Sequence, residues 1–237
     1  MILHRKPVDR VEFLLSQCEG KRVLHLGCTN WPYTDGTLND GSLLHSRIAE
    51  RSDELFGVDT DDRGLEILRG RGVKNLYLGD LERLEDCELN ETFDVIVAGE
   101  MIEHLNNPGL FLRGVKRFLG NNSTLIITTI NAYSALRFLI YSLKGKGGSA
   151  EPVHPDHVAY YSFSTLKLLL ERNGFEITNF YFYDIGPEHR PHNRAIWNLA
   201  NDAAVKFFPQ LSDGIIAVCT ANEASAEPKP HGTECLV

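Results

Sequence analysis

Residues 22–30, RVLHLGCTN, decide the fold, because a short apolar run ends there in a glycine. An apolar run of this length between polar residues is typical of a buried strand. Gly27 lets the backbone turn sharply and approach a ligand closely, since it carries no side chain. The stretch therefore predicts a strand followed by a turn that can bind a ligand.

Short β-rich runs alternate with segments of helical periodicity on both sides of this stretch. Further strands are predicted at 54–58, 75–78, 93–98, 124–129, 175–183 and 214–220. Helices are predicted at 7–18, 41–51, 62–69, 108–120, 164–173 and 195–208, with another from about residue 132. Such alternation is the signature of βαβ units and a mostly parallel sheet. We predict an α/β fold with an open, doubly wound sheet, forming a single domain over residues 1–221.

The bulk composition limits the classes of partner and compartment. The chain has 237 residues and a formal net charge of −8 with scattered acidic residues, which suits one domain and argues against a nucleic-acid partner. The five cysteines form no C-x-x-C pair and suit a reducing compartment. No secretory signal or membrane span is evident, so we expect a cytoplasmic protein. Residues 222–237, rich in Ala, Glu, Pro and Lys, are predicted to be a disordered tail.

Acidic residues follow two more of the predicted strands. Asp59 ends the second strand in FGVDTDD, and Asp80 follows the third in YLGDLE. Ligands of open α/β sheets bind beyond the carboxyl ends of the strands, so Gly27, Asp59 and Asp80 are expected to converge. Asp59 can accept hydrogen bonds from ribose hydroxyls and Asp80 from an adenine amino group, with Leu81 beside the ring. Taken singly, each acid also fits a structural capping role.

The order of these residues resembles that of the class I S-adenosylmethionine-dependent methyltransferases. The matching stretches also include FDVIVAGEMIEHLNNP (93–108), IITTIN (126–131) and DHVAYYSFSTLKLLLERNGF (156–175), which are similar to the ubiquinone-biosynthesis O-methyltransferases and glycan-cluster enzymes. The resemblance covers roughly residues 21–220 and implies a seven-stranded sheet with an antiparallel last pair. It implies S-adenosylmethionine as cofactor, bound by His25, Gly27, Cys28, Thr29, Asp59, Thr60, Asp80, Leu81 and Glu100.

The chain departs from this family at its glycine-rich motif. Where the family has an acid and three glycines, this chain has His25, Gly27, Thr29 and Trp31. Loss of the acid is expected to weaken the contact with the methionine ammonium group. Trp31 and Tyr33, in the loop that follows, either close over the donor or belong to an ordinary surface loop.

The segment GEMIEHL (99–105) carries the candidate catalytic groups. Glu100, Glu103 and His104 are spaced so that a helical turn would place all three on one face. Methyl transfer requires that the acceptor be held against the methyl group and lose a proton. His104 is the candidate general base, with Glu103 beside it. The alternative is that Glu100 caps the turn and His104 packs under the next helix.

The same segment also suggests a metal site. The E-x-x-E-H pattern with a later D-H resembles the divalent-metal site of small-RNA 2′-O-methyltransferases and ubiquinone O-methyltransferases. The resemblance implies Glu100, Glu103, His104 and His157 as ligands. Two carboxylates and two imidazoles suit Mg, Mn or Zn. Residues 144–162, which include His154 and His157, are predicted to form an acceptor-side loop.

These features favour O-methylation of a hydroxyl on a small molecule or glycan, either with or without a metal ion. An N- or C-methyltransferase with the same donor pocket is the alternative within enzymes. A catalytically silent nucleoside-binding domain is the alternative from another class, because fold alone does not determine function. A small-RNA substrate is disfavoured by the excess of acidic residues.

Overall fold

The computed structural model describes residues 1–4, 6–144, 154–184, 186, 190 and 194–222. Eight strands form one sheet: β1 (Ile2–Leu3), β2 (Arg22–Leu26), β3 (Glu54–Asp59), β4 (Leu76–Leu78), β5 (Phe93–Gly99), β6 (Leu119–Ile130), β7 (Phe175–Tyr183) and β8 (Gly214–Ala221). The helices are α1 (Arg10–Cys18), α2 (Thr34–Asn39), α3 (Leu44–Ala49), α4 (Asp62–Gly70), α5 (Pro108–Val115), α6 (Ala135–Lys144), α7 (Phe163–Arg172) and α8 (Ala195–Phe207). The predicted tail after residue 222 and positions 145–153 of the predicted acceptor-side loop lie outside the described residues.

The strand order is β1-β7-β8-β6-β5-β2-β3-β4. Strand β2 pairs in parallel with β3 on one side and with β5 on the other, so the order reverses beside β2. Strand β8 is antiparallel to both β6 and β7. The open α/β sheet and its antiparallel last pair were thus predicted correctly. The reversal point is where such sheets bind ligands.

The predicted number of seven strands is wrong by one. Ile2 and Leu3 pair in parallel with Asn179 and Phe180 of β7 and add a strand at the edge of the sheet. Two residues are too short to show the alternation by which a strand is recognised in sequence.

The sheet is buried on both faces, as its central strand shows. In β5, Ile96 packs into the larger apolar cluster, whereas Val95 and Val97 pack into the smaller one. Leu14 of α1 belongs to the smaller cluster and Phe111 of α5 to the larger. The near-continuous apolar sequence of β5 therefore reflects helices on both sides of a parallel sheet.

The helix ends follow local sequence signals. Asp9 caps α1 by accepting a hydrogen bond from the Glu12 backbone N–H at 2.9 Å. Ser162 and Thr165 form a capping box at the start of α7. Helix α2 was not predicted, because TDGTLN has low helix propensity. Of the helices that the structure describes, the longest has 13 residues and none is long and apolar enough to cross a membrane.

Candidate active site

Three loops meet at the carboxyl edge of the sheet beside the reversal point. The Gly27 N–H donates to the Val58 carbonyl at 2.9 Å, which joins the turn after β2 to the end of β3. The Thr29 N–H donates to the Asp59 carboxylate at 2.8 Å. The Gly79 N–H donates to the Asp59 carbonyl at 3.0 Å, which brings the loop after β4 to the same place. The predicted donor residues of the three loops thus lie along one continuous edge.

The turn after β2 depends on glycine. Gly27 has φ +75°, and a Cβ there would lie 3.3 Å from Met101 Cβ. Any side chain at this position would therefore be strained and would narrow the space beside the turn. The Cys28 side chain is buried inside the fold, where burial raises the pKa of its thiol. Only the backbone of Cys28 is therefore available to a ligand.

The Asp59 carboxylate is held in a fixed orientation. One oxygen accepts from the Thr29 N–H, and the other accepts from the Asp61 N–H at 2.9 Å. Each carboxylate oxygen has two acceptor positions, so both can accept a further hydrogen bond. Because the side chain is already ordered by the backbone, it can receive a pair of ligand hydroxyls without further loss of rotamer freedom.

The loop after β4 is anchored to the chain that follows β5. Asp80 is exposed and accepts from the Glu82 N–H at 2.8 Å, while Leu81 is buried. Glu82 accepts from the Asn106 N–H at 2.7 Å and the Asn107 side-chain amide at 2.8 Å. These bonds fix the donor edge relative to the segment that carries His104.

His25, predicted as a cofactor contact, has its ring inside the fold. Its Nδ1 lies 3.3 Å from Nδ1 of His45, and both rings are buried. Gly57 leaves room for the pair, since a Cβ there would lie 2.9 Å from His45 Cε1. Burial lowers the pKa of His25 well below its ordinary value, and it lowers the pKa of His45 to about 4. The pair is therefore neutral at pH 7, with one ring donating to the other.

Because His25 and His45 are buried in the neutral form, we predict that the free energy of unfolding falls in mild acid. The folded-state pKa of His45 lies below the unfolded value, so the unfolded chain binds more protons as pH falls through about 6.5. The free energy of unfolding should fall by about 2 kcal/mol between pH 7 and pH 5 through His45, and His25 acts in the same direction. Urea denaturation across this range measures the slope.

The matched variant for this experiment is His45→Leu. His45 Nε2 is buried and has no hydrogen-bond partner among the described residues, so Leu can replace the ring without abandoning a bond at that atom. The variant should show a shallower loss of stability below pH 6.5. A slope equal to that of the unaltered chain would contradict the assignment.

Glu100 is held by contacts with two side chains outside its own segment. It has φ +50°, and its N–H donates to the Thr128 carbonyl at 2.9 Å. The Tyr183 hydroxyl donates to one Glu100 oxygen at 2.7 Å, and the Arg10 guanidinium lies 3.4 Å from the other. Burial and the nearby Glu100 carboxylate raise the pKa of Tyr183. Glu100 thus joins α1 and β7 at the reversal point.

Glu103 and His104 lie in a short 3-10 turn, Ile102–His104, in place of the predicted helical turn. Glu103 is buried and accepts from the Thr129 hydroxyl at 2.9 Å. Its other oxygen is buried without a hydrogen-bond partner in the described parts of the chain. Burial and the nearby Glu100 raise the pKa of Glu103 to about 7. The prediction that all three side chains share one face is wrong, because Glu100 lies outside this turn.

His104 belongs to a cluster of three histidines. Its ring centroid lies 4.6 Å from that of His157 and 5.8 Å from that of His154. One ligand atom from each of the three lies within 4.8 Å of the others. The Val158 N–H donates to the Glu103 carbonyl at 2.8 Å and holds the second segment against the first.

The carboxylates that the resemblance implied as metal ligands stand apart from this cluster. Across the described ranges, no group of three or more potential metal ligands includes Glu100 or Glu103. Glu100 is engaged by Tyr183 and Arg10, and Glu103 by Thr129. The four implied residues therefore do not fit a common ion in this arrangement.

Arg10 and Tyr183 were not assigned roles from the sequence, and His154 was placed only in the predicted acceptor-side loop. Arg10 is the first residue of α1, where a positive charge is unfavourable for the helix dipole. This unfavourable placement could have indicated from the sequence that Arg10 has another role. Tyr183 ends an apolar strand and carries no such signal. His154 stands three residues before His157 in HPDH, a spacing that could have suggested a joint site.

The fold and the edge define an open α/β domain, and the comparisons specify its class. A family model described as a methyltransferase domain matches residues 2–179. The chain belongs to this family and is a class I S-adenosylmethionine-dependent methyltransferase, as the sequence predicted.

Individual relatives are more distant. The ubiquinone biosynthesis O-methyltransferase of Azorhizobium caulinodans is 30% identical over 122 residues, which are 49% of this chain and 43% of that protein. The chain thus spans about half the length of this curated relative. Among solved structures, an S-adenosylmethionine-dependent methyltransferase from Archaeoglobus fulgidus has a TM-score of 0.56 at 18% identity, covering 89% of this chain and 90% of that one. Magnesium protoporphyrin IX methyltransferase from Synechocystis, solved with bound S-adenosylhomocysteine, has a TM-score of 0.53 at 11% identity. The match covers 90% of this chain and 82% of that one.

Proposed function

We propose that this domain transfers a methyl group from S-adenosylmethionine to a hydroxyl oxygen of a small molecule, which includes the sugar hydroxyls of a glycan. The observation that carries the proposal is the position of the His104 turn beside the edge formed by Gly27 and Asp59. The name of the curated relatives, ubiquinone biosynthesis O-methyltransferase, supports oxygen as the acceptor atom. The cytoplasmic location stays a prediction from the sequence.

The donor edge matches the parts of S-adenosylmethionine one by one. The ordered Asp59 carboxylate suits the two ribose hydroxyls, with Thr60 next to it. Exposed Asp80 and apolar Leu81 suit the amino group and the ring of adenine. Gly27 carries no side chain and suits close approach of the methionine part of the donor, and Thr29 follows it two residues later in the same loop.

The amino-acid end of the donor is a zwitterion, and the reversal point carries complementary charges. Glu100 presents a carboxylate for the ammonium group, and Arg10 presents a guanidinium for the carboxylate. Their contact at 3.4 Å keeps both charges at one place, and Tyr183 orients Glu100. We propose that this pair performs the role that the missing family acid at His25 would have.

The acceptor side lies at the His104 turn. When bound, the donor supplies an electrophilic sulfonium methyl. The acceptor oxygen would take the methyl group as S-adenosylhomocysteine leaves, and the hydroxyl proton would pass to the His104 imidazole. Glu103 supports this turn from within through Thr129, and its backbone carbonyl holds Val158 of the facing segment. The protein thus contributes chiefly the alignment of the two reactants.

The test replaces His104 with Ala and measures transfer and binding separately. We expect kcat/KM with a hydroxyl acceptor to fall about 100-fold or more, as is typical for loss of a group that acts on the transferred proton. The dissociation constant for S-adenosylhomocysteine should stay within about threefold, because the donor edge is untouched. Mass spectrometry of the product identifies the methylated atom.

The matched control is His4→Ala, which removes a histidine that follows the outermost strand β1 and stacks on Tyr181 of β7. This variant should retain the transfer rate. Equal rates for His104→Ala and the unaltered chain, or a product methylated on nitrogen or carbon, would contradict the proposal.

A further inference from the structure

Helix α8 turns a stripe of apolar residues toward solvent. Ile196, Leu199 and Phe207 are 68%, 70% and 72% exposed, and Ala203 between them is exposed as well. Soluble proteins expose single apolar side chains freely, whereas a contiguous exposed patch marks a surface that binds a partner. We infer that these four residues, the α8 stripe, bind the same stripe of a second copy of this chain. This association does not depend on the proposed function.

The spacing of the α8 stripe places its side chains on one side of the helix. The four positions follow one another at intervals of three, four and four residues. An α-helix brings residues that are three or four apart onto one face. The stripe therefore runs along most of α8, which has 13 residues. An apolar line of this kind is the pattern by which one helix packs along another.

Polar contacts on the inner side hold α8 in this orientation. Asn201 and Val205 are its buried side chains, and the Asn201 amide donates to the two oxygens of the Asp184 carboxylate at 2.9 and 3.1 Å. The Arg190 guanidinium lies 2.6 Å from Asp202 and 3.6 Å from Asp184. A rotation of α8 that buried the stripe would break the Asn201 bonds, which is costly for a buried polar group. The fold itself therefore keeps the stripe on the outside.

Helix α6 packs beside α8 and adds apolar surface. The exposed aromatic residues of the two helices and their ends are Tyr133, Phe138, Tyr141, Phe207 and Phe208. Aromatic side chains carry about 150–250 Å² each, so at the observed exposures these five present roughly 600 Å² to solvent. Exposed Leu143, Ile196 and Leu199 add to this area. A standard interface takes about 800 Å² from each partner, so the two helices carry apolar surface of the size that a dimer needs.

The charge of α8 favours a second copy over a lipid surface. The helix contains one acidic residue, Asp202, and one basic residue, Lys206, so two copies meet there without net repulsion although each chain carries −8. Helices that lie on membranes have a polar face rich in Lys and Arg, which meets anionic lipids. In α8 the inner side is instead packed against its own fold through Asn201 and Val205.

A two-fold axis across the stripe gives an interface that closes on itself, as in most homodimers. In an antiparallel pair of α8 helices, Ile196 of one copy lies opposite Phe207 of the partner subunit. The small residue Ala203 then lies near the centre, where the helices approach each other most closely. With α6 of each copy, the contact becomes a four-helix arrangement around an apolar core.

Sedimentation velocity of the full chain tests the association. We expect a dimer at micromolar concentration. Leu199→Lys should raise the dimer dissociation constant about 100-fold or more, because each dimer loses two apolar contacts and brings two like charges together. Leu199 is largely exposed, so the core of the monomer stays intact, and circular dichroism checks this. The matched control is Leu168→Lys on α7, a 47% exposed leucine outside the two helices, which should remain a dimer.

Cross-linking locates the contact independently of Leu199. In a Cys235→Ser background the other four cysteines are buried, so a short bis-maleimide reacts with an introduced cysteine. Ala203→Cys should yield a covalent dimer. Glu66→Cys, at an exposed position of α4, should not.

Three results would overturn the dimer. They are a chain that stays monomeric at high micromolar concentration, a Leu199→Lys variant that dimerises as tightly as the unaltered chain, and an Ala203→Cys variant that cross-links no more than Glu66→Cys. A monomer that sediments with vesicles of phosphatidylcholine and phosphatidylglycerol, and that loses this binding in Leu199→Lys, would assign the α8 stripe to a lipid surface instead.

Discussion

Replacement of Asp59 by Asn is expected to lower the affinity for S-adenosylhomocysteine about 100-fold. A hydrogen bond to a charged group contributes about 1.5–3 kcal/mol, and Asp59 is proposed to accept two from the ribose. A total loss of about 3 kcal/mol corresponds to roughly two decades in the dissociation constant. The Asn amide would also turn a donor toward the N–H of Thr29 or Asp61, which both now donate to the carboxylate. Isothermal titration calorimetry measures the affinity.

Asp62→Asn is the matched control for this variant. Asp62 is exposed in the first turn of α4, and its nearest cation is Arg69 at 3.9 Å. The same chemical change there should leave the affinity for S-adenosylhomocysteine unchanged. Equal affinities for Asp59→Asn and Asp62→Asn would mean that the ribose is held elsewhere.

Replacement of Gly214 by Ala is expected to destabilise the fold by about 3–5 kcal/mol. A Cβ at this position of β8 would lie 1.9 Å from Cζ of Tyr183 in the neighbouring strand. The ring would have to leave, which costs about 1–3 kcal/mol in packing and about 1.5–3 kcal/mol for the lost bond to Glu100. Guanidinium denaturation gives the free energy of unfolding.

Two further variants show how the loss of unfolding free energy in Gly214→Ala arises. Gly70→Ala, near the end of α4 where a Cβ meets nothing within 4 Å, should change stability by less than about 1 kcal/mol. Tyr183→Phe keeps the ring and removes only the hydroxyl, so it should cost about 1.5–3 kcal/mol. If Gly214→Ala were as stable as Gly70→Ala, the packing of Tyr183 over Gly214 would not be as described.

Most strands could be predicted because buried strands have short apolar or β-rich sequences between polar residues. The limits predicted for β7 are those observed, and β5 differs by one residue. Strand β5 is largely apolar, and β7 is rich in the aromatic and β-branched residues that favour strands. Strand β1 could not be predicted, because its position depends on pairing with β7 across most of the chain length. The position of β1 is determined by a tertiary contact, and its own two residues show no strand pattern.

The donor edge was more accessible to sequence reasoning than the acceptor side. Gly27 and Asp59 each follow a strand, and the topology of parallel sheets brings strand ends together. The direction of Glu100 could not be foreseen, because it results from a positive φ and from Tyr183 far along the chain. The pairing of His25 with His45 likewise depends on the space left by Gly57.

A crystal structure of the chain with S-adenosylhomocysteine tests the central claim most directly. We predict that both ribose hydroxyls lie within hydrogen-bond distance of the Asp59 carboxylate, with adenine beside Asp80 and Leu81. Density for the ligand at any other edge of the sheet, or a ribose that contacts neither Asp59 oxygen, would contradict the account.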